Sequence, residues 1–259
     1  MTLPRLFLRD SRHVTRIVAA ANVEPRRLGP PDMIVLHYTG MLSAARAVQW
    51  LASAESRVSC HYVVDERGEI TQMVPERLRA WHAGVAYWAG ETDINSRAIG
   101  IEIHNPGHEL DYWDFSDAQI SGVIALCRDI TQRYGIKPQR VLAHSDVAPE
   151  RKIDPGEKFP WAKLAAAGIG HWCAPEPIDD ADAGLESGAT GDRITGAQLA
   201  LARYGYRIDP TGVLDTATSF ALRAFQLHFR PARVDKRLDR STEVTLQRLI
   251  EALPAPLTS

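Results

Sequence analysis

Short apolar runs and amphipathic stretches alternate through the first two thirds of the chain. "MIVLHYTG" (33–40) is an apolar run bounded by Pro31 and Gly40, which predicts a buried strand. "SAARAVQWLAS" (43–53) spaces Ala44, Ala47, Val48 and Leu51 as one helical face, with Ser43 placed to cap it. "HYVVDERGEITQMV" (61–74) predicts two strands around a turn at Asp65 to Gly68. In "AIGIEIHN" (98–105), Ile99, Ile101 and Ile103 fall on one strand face, Glu102 and His104 on the other. "SDAQISGVIALCRDITQRYG" (116–135) predicts a helix with a Ser116/Gln119 capping box, a stripe of Ile120, Val123, Ile124 and Cys127, and a C-terminal stop at Gly135. "RVLAHSD" (140–146) predicts one more short buried strand. Strands alternating with helices, one hairpin among them, make the fold class α/β, with a mixed central β-sheet flanked by helices.

The pattern breaks at "APEPIDDADAGLESGATGD" (174–192), where small, acidic, Pro and Gly residues leave almost nothing to bury. Beyond it, helical spacing returns at Gly196 to Tyr204, Thr216 to Phe229 and Thr242 to Ala252. The expected organisation is an α/β domain over 1–174, a flexible linker over 175–192 and a small three-helix domain over 193–259. The helical domain is close to the lower size limit for a self-sufficient core.

Composition narrows the function classes. With 45% apolar and 24% charged residues the chain is an ordinary globular protein, and a formal charge of -2 supplies no basic surface for nucleic acid. Cys60, Cys127 and Cys173 are an odd number at wide spacings, neither a disulfide framework nor a zinc knuckle, and Cys127 reads as a small buried core residue. Charges at Arg5, Arg9, Asp10 and Arg12 interrupt the N-terminal stretch, so neither a signal peptide nor a transmembrane segment is expected. The expected location is therefore cytoplasmic, or periplasmic if the natural leader is missing.

The chemistry concentrates in "VLAHSDVAPERKIDPGEKFPW" (141–161). His37 and His144 each follow a buried-looking strand, and strand ends are where an α/β sheet presents side chains to a crevice. Either histidine alone reads more readily as a hydrogen-bonded structural residue. With Asp154, which follows His144 across a proline-stiffened segment, they make a common catalytic zinc set with a position left for water. No HExxH helix is present.

"IVLHYTG", "VSCHYVVDERGEITQMVPE", "AWHAG", "SRAIGIEIHNPG" and "LAHSDVAPERKIDPGEKFPW" together resemble the type 2 N-acetylmuramoyl-L-alanine amidases, zinc peptidoglycan amidases related to the peptidoglycan recognition proteins. The resemblance spans roughly Met33 to Trp161, its motifs in family order. "GYRIDPTGVLDTATSFALRAFQLHFRP" similarly resembles a small peptidoglycan-binding domain. The family implies one zinc ion per chain on His37, His144 and Asp154, a catalytic acid/base at Glu102 and an oxyanion-stabilising cation at Lys152. Without it, Glu102 reads equally as a carboxylate on a solvated sheet face, and Lys152, beside Arg151, as a surface charge.

His61 and His82 match family positions and are expected behind the ligands or in the pocket wall, not as ligands. Together with Tyr38, Trp81, Asn105 and Arg151 they form the candidate substrate-binding set. Trp88 is a further aromatic that suits either a groove or the core, and His104 and His108, flanking "NPG", are expected in a loop. The implied activity is hydrolysis of the amide between N-acetylmuramic acid, ordinary or 1,6-anhydro, and L-alanine of the stem peptide. The implied partners are soluble muropeptides or polymeric peptidoglycan. Two alternatives stand beside it: a non-catalytic peptidoglycan binder, and a zinc peptidase cutting within the stem peptide.

Overall fold

The computed structural model describes residues 7–253, so both ends of the chain lie outside the described residues. Eight strands form two sheets: β1 (Val14–Ile17), β2 (Val23–Pro25), β3 (Met33–Tyr38), β4 (Tyr62–Val64), β5 (Ile70–Gln72), β6 (Leu78–Ala80), β7 (Ala98–Ile103) and β8 (Val141–Ala143). The central sheet runs β1-β5-β4-β7-β3-β8, and β2 pairs with β6 in a small second sheet. Strands β4, β7, β3 and β8 are parallel, while β5 returns antiparallel to β4 through the expected hairpin. Helices α1 (Ala44–Ala52), α2 (Ile94–Arg97), α3 (Asp117–Tyr134), α4 (His144–Val147) and α5 (Trp161–Ala166) belong to this α/β unit. Three more, α6 (Asp192–Tyr204), α7 (Thr216–Phe229) and α8 (Arg240–Glu251), form the C-terminal helical unit. Among the described residues no helix is long and apolar enough to cross a membrane.

Strand alternation sets which face does what. Ile34 and Leu36 of β3 join Ile99, Ile101 and Ile103 of β7 in a core closed by Ile120, Val123, Leu126 and Cys127 of α3. Each such aliphatic side chain contributes about 1.5–3 kcal/mol by leaving water. Met33 and Val35 point the other way, into a core shared with Trp88, Leu142 and Val147. By the same alternation His37 falls on the Met33/Val35 face, and Glu102 falls opposite the isoleucine face.

Local signals largely held, with two instructive departures. Ser43 caps α1 by accepting the Arg46 N–H, and Gly135 ends α3 in the left-handed region at φ 64°. The capping box at α3 is only half formed. Ser116 Oγ accepts the Gln119 N–H at 3.1 Å, but the Gln119 side chain turns inward and donates to the His104 carbonyl at 2.8 Å. A buried backbone acceptor needs its partner more than a solvated cap does. The second departure is at His144, which opens α4 instead of extending β8.

The segment expected as a flexible linker is tied along the helical unit. The Glu176 N–H donates to Thr245 Oγ1, Ser241 Oγ donates to the Glu176 carbonyl, and Leu185 exchanges backbone hydrogen bonds with Leu238. Side chains add to these ties: Arg248 pairs with Glu176, Arg237 pairs with Glu186, and Leu185 packs against the core. The first C-terminal helix also begins earlier than its apolar spacing suggests, at Asp192, just after Gly191 at φ 130°.

The two units share one interior. Met33, Val35, Leu142 and Val147 pack in the same core as Leu201, Phe225 and Phe229 of α6 and α7. Trp88, only 1% exposed, meets the Tyr204 and Tyr206 rings edge to face at 5.8 and 5.0 Å. It is a core residue. Across the same boundary Tyr206 Oη donates to Asp146 at 2.6 Å, His228 Nδ1 lies 2.7 Å from the same carboxylate, and the His228 ring stacks on Trp161 at 3.6 Å.

Candidate active site

A cleft of about 760 Å³ opens at the C-terminal ends of β3 and β7, bounded by the loops after β8. His37, the penultimate residue of β3, stands in register with Glu102 on parallel β7, so both side chains leave the same face side by side. His144 arrives from the first turn of α4. The chain then loops through Pro149 to Lys152 and returns Asp154, whose carbonyl accepts the Ser145 N–H at 3.0 Å. The stretch from His144 to Asp154 is thus a closed path that brings Asp154 back beside His144.

Three ligand-type atoms converge on one point. His37 Nδ1 and His144 Nδ1 are 2.9 Å apart, and Asp154 Oδ2 is 3.2 Å from the first and 3.0 Å from the second. The His144 Nε2 faces the Ala83 carbonyl at 3.2 Å, and a carbonyl only accepts. The proton is therefore on Nε2, and Nδ1 presents its lone pair to the site. Burial, reinforced by His144, lowers the His37 pKa to about 4, leaving its imidazole neutral at pH 7. Burial raises the Asp154 pKa, yet His144 and His37 outweigh it and hold the carboxyl well below the usual carboxylate range. Two imidazole nitrogens and a carboxylate oxygen converge as donors on one point, as metal ligands do. About 2.0–2.1 Å from each of three tetrahedral ligands, a metal would set them about 3.3 Å apart, close to the spacing seen. The set fits a divalent ion with nitrogen and oxygen preference.

Glu102 lines the cleft, and its Oε2 is buried with no hydrogen-bond partner. Burial, then the Asp154 charge, pushes its pKa well above the usual range, against the pull of Lys152. A carboxylate poised this way suits proton transfer. Lys152 lines the same cleft, its backbone N–H held by the Ala148 carbonyl at 3.0 Å.

Tyr38, Trp81, His82 and Arg151 of the candidate substrate set line the cleft. His82 Nδ1 is 3.0 Å from His37 Nε2, so this ring orients the first histidine from behind. Close approach is possible because residue 100 is glycine: a Cβ there would sit 2.4 Å from His82 Cγ. His61 and Asn105 are not in the cleft wall. His61 is fully buried, accepting the Gly100 N–H on Nδ1 and donating from Nε2 to the Leu78 carbonyl. Asn105 is also fully buried, bonded to the Trp113 carbonyl and the Gly107 N–H, and shapes the loop after β7. His108 reaches the cleft while pairing with Glu157 at 3.0 Å, whereas His104 is buried 2.9 Å from Glu66. Sequence reasoning missed Arg223, a cleft-lining residue contributed by α7. No local pattern links a helical arginine to a pocket formed so far upstream.

Comparison with known proteins agrees with this geometry. Residues 27–157 match the N-acetylmuramoyl-L-alanine amidase family model, and residues 190–246 match a peptidoglycan binding domain model. The chain is 38% identical over 232 residues to the N-acetylmuramoyl-L-alanine amidase AmiD of Escherichia coli, covering 85% of this chain and 82% of that protein. The structure of E. coli AmiD in complex with the substrate anhydro-N-acetylmuramic acid-L-Ala-D-γ-Glu-L-Lys is similar at a TM-score of 0.71 and 36% identity, covering 90% and 91% of the two chains. AmpDh3 of Pseudomonas aeruginosa, in complex with anhydromuramic pentapeptide, is similar at a TM-score of 0.72 and 35% identity, covering 87% and 93%.

Proposed function

The chain belongs to the N-acetylmuramoyl-L-alanine amidase family, and on that premise we propose that it is a zinc enzyme that hydrolyses the amide joining the lactyl group of N-acetylmuramic acid to L-alanine in muropeptides. The convergence of His37 Nδ1, His144 Nδ1 and Asp154 Oδ2 beside Glu102 carries the reading. These three side chains would hold one zinc ion, which supplies Lewis acidity toward the carbonyl and the attacking water when bound.

The rest of the chemistry belongs to the chain itself. Glu102, ionised, accepts the proton of the attacking water on its carboxylate and passes it to the departing alanine nitrogen, so the amine leaves neutral. Lys152 provides a positive charge near the oxygen that becomes negative as the carbonyl turns tetrahedral. His82 keeps the His37 ring in one orientation through the Nε2–Nδ1 contact. Tyr38 and Trp81 offer flat, partly apolar surfaces for the sugar or peptide backbone. The anhydro-muropeptides bound by the AmiD and AmpDh3 structures support a soluble fragment with a 1,6-anhydro sugar as the substrate class. The helical unit is read as part of the same substrate-engaging body, because its core is continuous with that of the catalytic unit.

The test uses purified protein, zinc analysis and mass spectrometry on a defined muropeptide. Wild type should carry one zinc per chain and release the intact peptide with its L-alanine N-terminus. Asp154→Ala should lose both metal and turnover. Metal-free Asp154→Ala turning over like wild type would overturn the ligand assignment. Products cut within the peptide would indicate a peptidase, and zinc-loaded wild type with no product a binding protein.

A further inference from the structure

Three cationic side chains, Arg151, Lys152 and Arg223, line the cleft. The first two have partners or a role. Arg151 Nη2 donates to the carbonyls of Ala83 and Val85 and ties that loop to the site. Lys152 stands among Glu102 and Asp154, where its charge acts on the reaction. Arg223 is different. It comes from α7 of the helical unit, and among the described residues its one hydrogen bond runs from Nη2 to the Pro149 carbonyl at 2.6 Å.

Its guanidinium lies 5.0 Å from the centroid of the Phe220 ring, and its Nε is buried without a partner. Burial lowers its pKa with no acid opposing the shift. Glu150 shares the cleft wall, yet among the described residues Arg223 bonds to the Pro149 carbonyl and pairs with no carboxylate. Other half-buried arginines are saturated by the protein: Arg79 faces Glu24 and Asp93, Arg133 faces Glu76 and Asp129, and Arg26 spends its donors on the carbonyls of Glu76, Ser96 and Ala98. A guanidinium has five N–H donors in a planar fork and is costly to desolvate unpaired. Arg223 is thus a cation with spare donors in the mouth of a substrate cleft, lacking an anion that the protein itself supplies.

A stem peptide brings such anions. A glutamate linked through its γ-carboxyl keeps a free α-carboxylate, and the peptide ends in a second carboxylate. Resting on the amidase reading, we propose that Arg223 is the receptor for a stem-peptide carboxylate, so that the C-terminal helical unit contributes a specificity-determining side chain to the active site. The match is a planar fork against a planar anion, which arginine makes in two parallel bonds and lysine does not. The hydrogen bond to Pro149 fixes the fork at the base of the segment that carries Lys152 and Asp154.

The test compares wild type, Arg223→Gln and Arg223→Lys, all zinc-loaded and full length, on three synthetic muropeptides. One has both peptide carboxylates free, one has the glutamate α-carboxylate amidated, and one has the C-terminal carboxylate amidated. Arg223→Gln should raise KM on the free-acid substrate about tenfold with a much smaller change in kcat, and Arg223→Lys should recover part of the loss. Amidating the recognised carboxylate should raise the wild-type KM similarly and abolish the difference between wild type and Arg223→Gln, which identifies the carboxylate. An equal fall in kcat/KM on all three substrates would show a structural effect through Pro149 and overturn the proposal, as would an unchanged KM on the free-acid substrate. Calorimetric binding of the same three peptides to the same variants gives a readout independent of turnover. If wild type hydrolyses none of them, the amidase reading fails, and Kd still decides Arg223: an Arg223→Gln affinity loss confined to the free carboxylate supports it, and equal affinities overturn it.

Discussion

Replacing Tyr206 by Phe takes one oxygen from the boundary between the two units and leaves the ring in place. Tyr206 is 2% exposed and Asp146 1%, so water does not reach the vacated position easily. The Asp146 carboxylate has three close neighbours: the Ala143 N–H at 2.8 Å, Tyr206 Oη at 2.6 Å and His228 Nδ1 at 2.7 Å. A hydrogen bond to a charged group contributes about 1.5–3 kcal/mol, and its loss from a buried carboxylate leaves little compensation. The expected destabilisation is about 2 kcal/mol. Tyr204→Phe is the control, because Tyr204 Oη meets the uncharged, half-buried His171 ring at 3.0 Å, a contact of about 0.5–1.5 kcal/mol. Urea unfolding separates the two. At a slope of about 3 kcal/mol/M, Tyr206→Phe should lower the midpoint by roughly 0.7 M, and Tyr204→Phe by about half as much or less. Both should unfold in one transition, since one core spans both units. A Tyr206→Phe midpoint equal to wild type, or two separate transitions in the wild-type protein, would refute the shared-core argument.

Glu102→Gln keeps the shape of the site and removes its proton acceptor; it should retain one zinc per chain and lose about 10²–10⁴ in kcat, whereas unchanged turnover would place the proton transfer elsewhere. Gly100→Ala would drive a Cβ to 2.4 Å from His82 Cγ in the middle of β7, so the ring must leave its contact with His37. Overpacking of this kind costs about 1–3 kcal/mol, and zinc should be lost to chelator faster than from wild type; a variant with wild-type stability and zinc retention would show that His82 does not support the site.

Much of this arrangement was legible because local chemistry dictated it. The apolar run at Met33 to Leu36 had to be buried, and its bounding residues limited it to a strand. The turn at Asp65 to Gly68 fixed the hairpin, and Ser116 and Gly135 marked both ends of α3. The pairing of His37 with Glu102 follows from two alternating strands once their register is known, and only the register was hidden. His144 and Asp154 are ten positions apart along a stiff segment, so their meeting was the easiest of the long-range contacts to anticipate. His61 lies behind His82, at 5.8 Å between ring centroids, and not in the cleft wall, for a physical reason. A histidine beside a strand offers the same side chain to a cleft or to buried carbonyls, and here the Leu78 carbonyl and the Gly100 N–H lay within reach.

The largest illegible part is the boundary between the units. Acidic and small residues over 175–192 offer almost nothing to bury, so composition argued for two bodies on a tether, although Leu185 and Ala189 pack against the core. Yet Trp88 needed a surface to cover it, and the amphipathic helices of a small unit needed more core than they supply alone. Each satisfies the other, with Trp88 against Tyr204 and Tyr206, and α7 facing the loops that follow β8. Once docked, α7 lies beside the segment from His144 to Asp154, held there through Asp146 and Pro149. The segment that brings His144 and Asp154 together is thus braced by the C-terminal unit through the His228–Asp146 and Arg223–Pro149 contacts. The helical unit should therefore behave as part of the active site, and its removal should impair soluble muropeptide hydrolysis as well as any attachment to the wall.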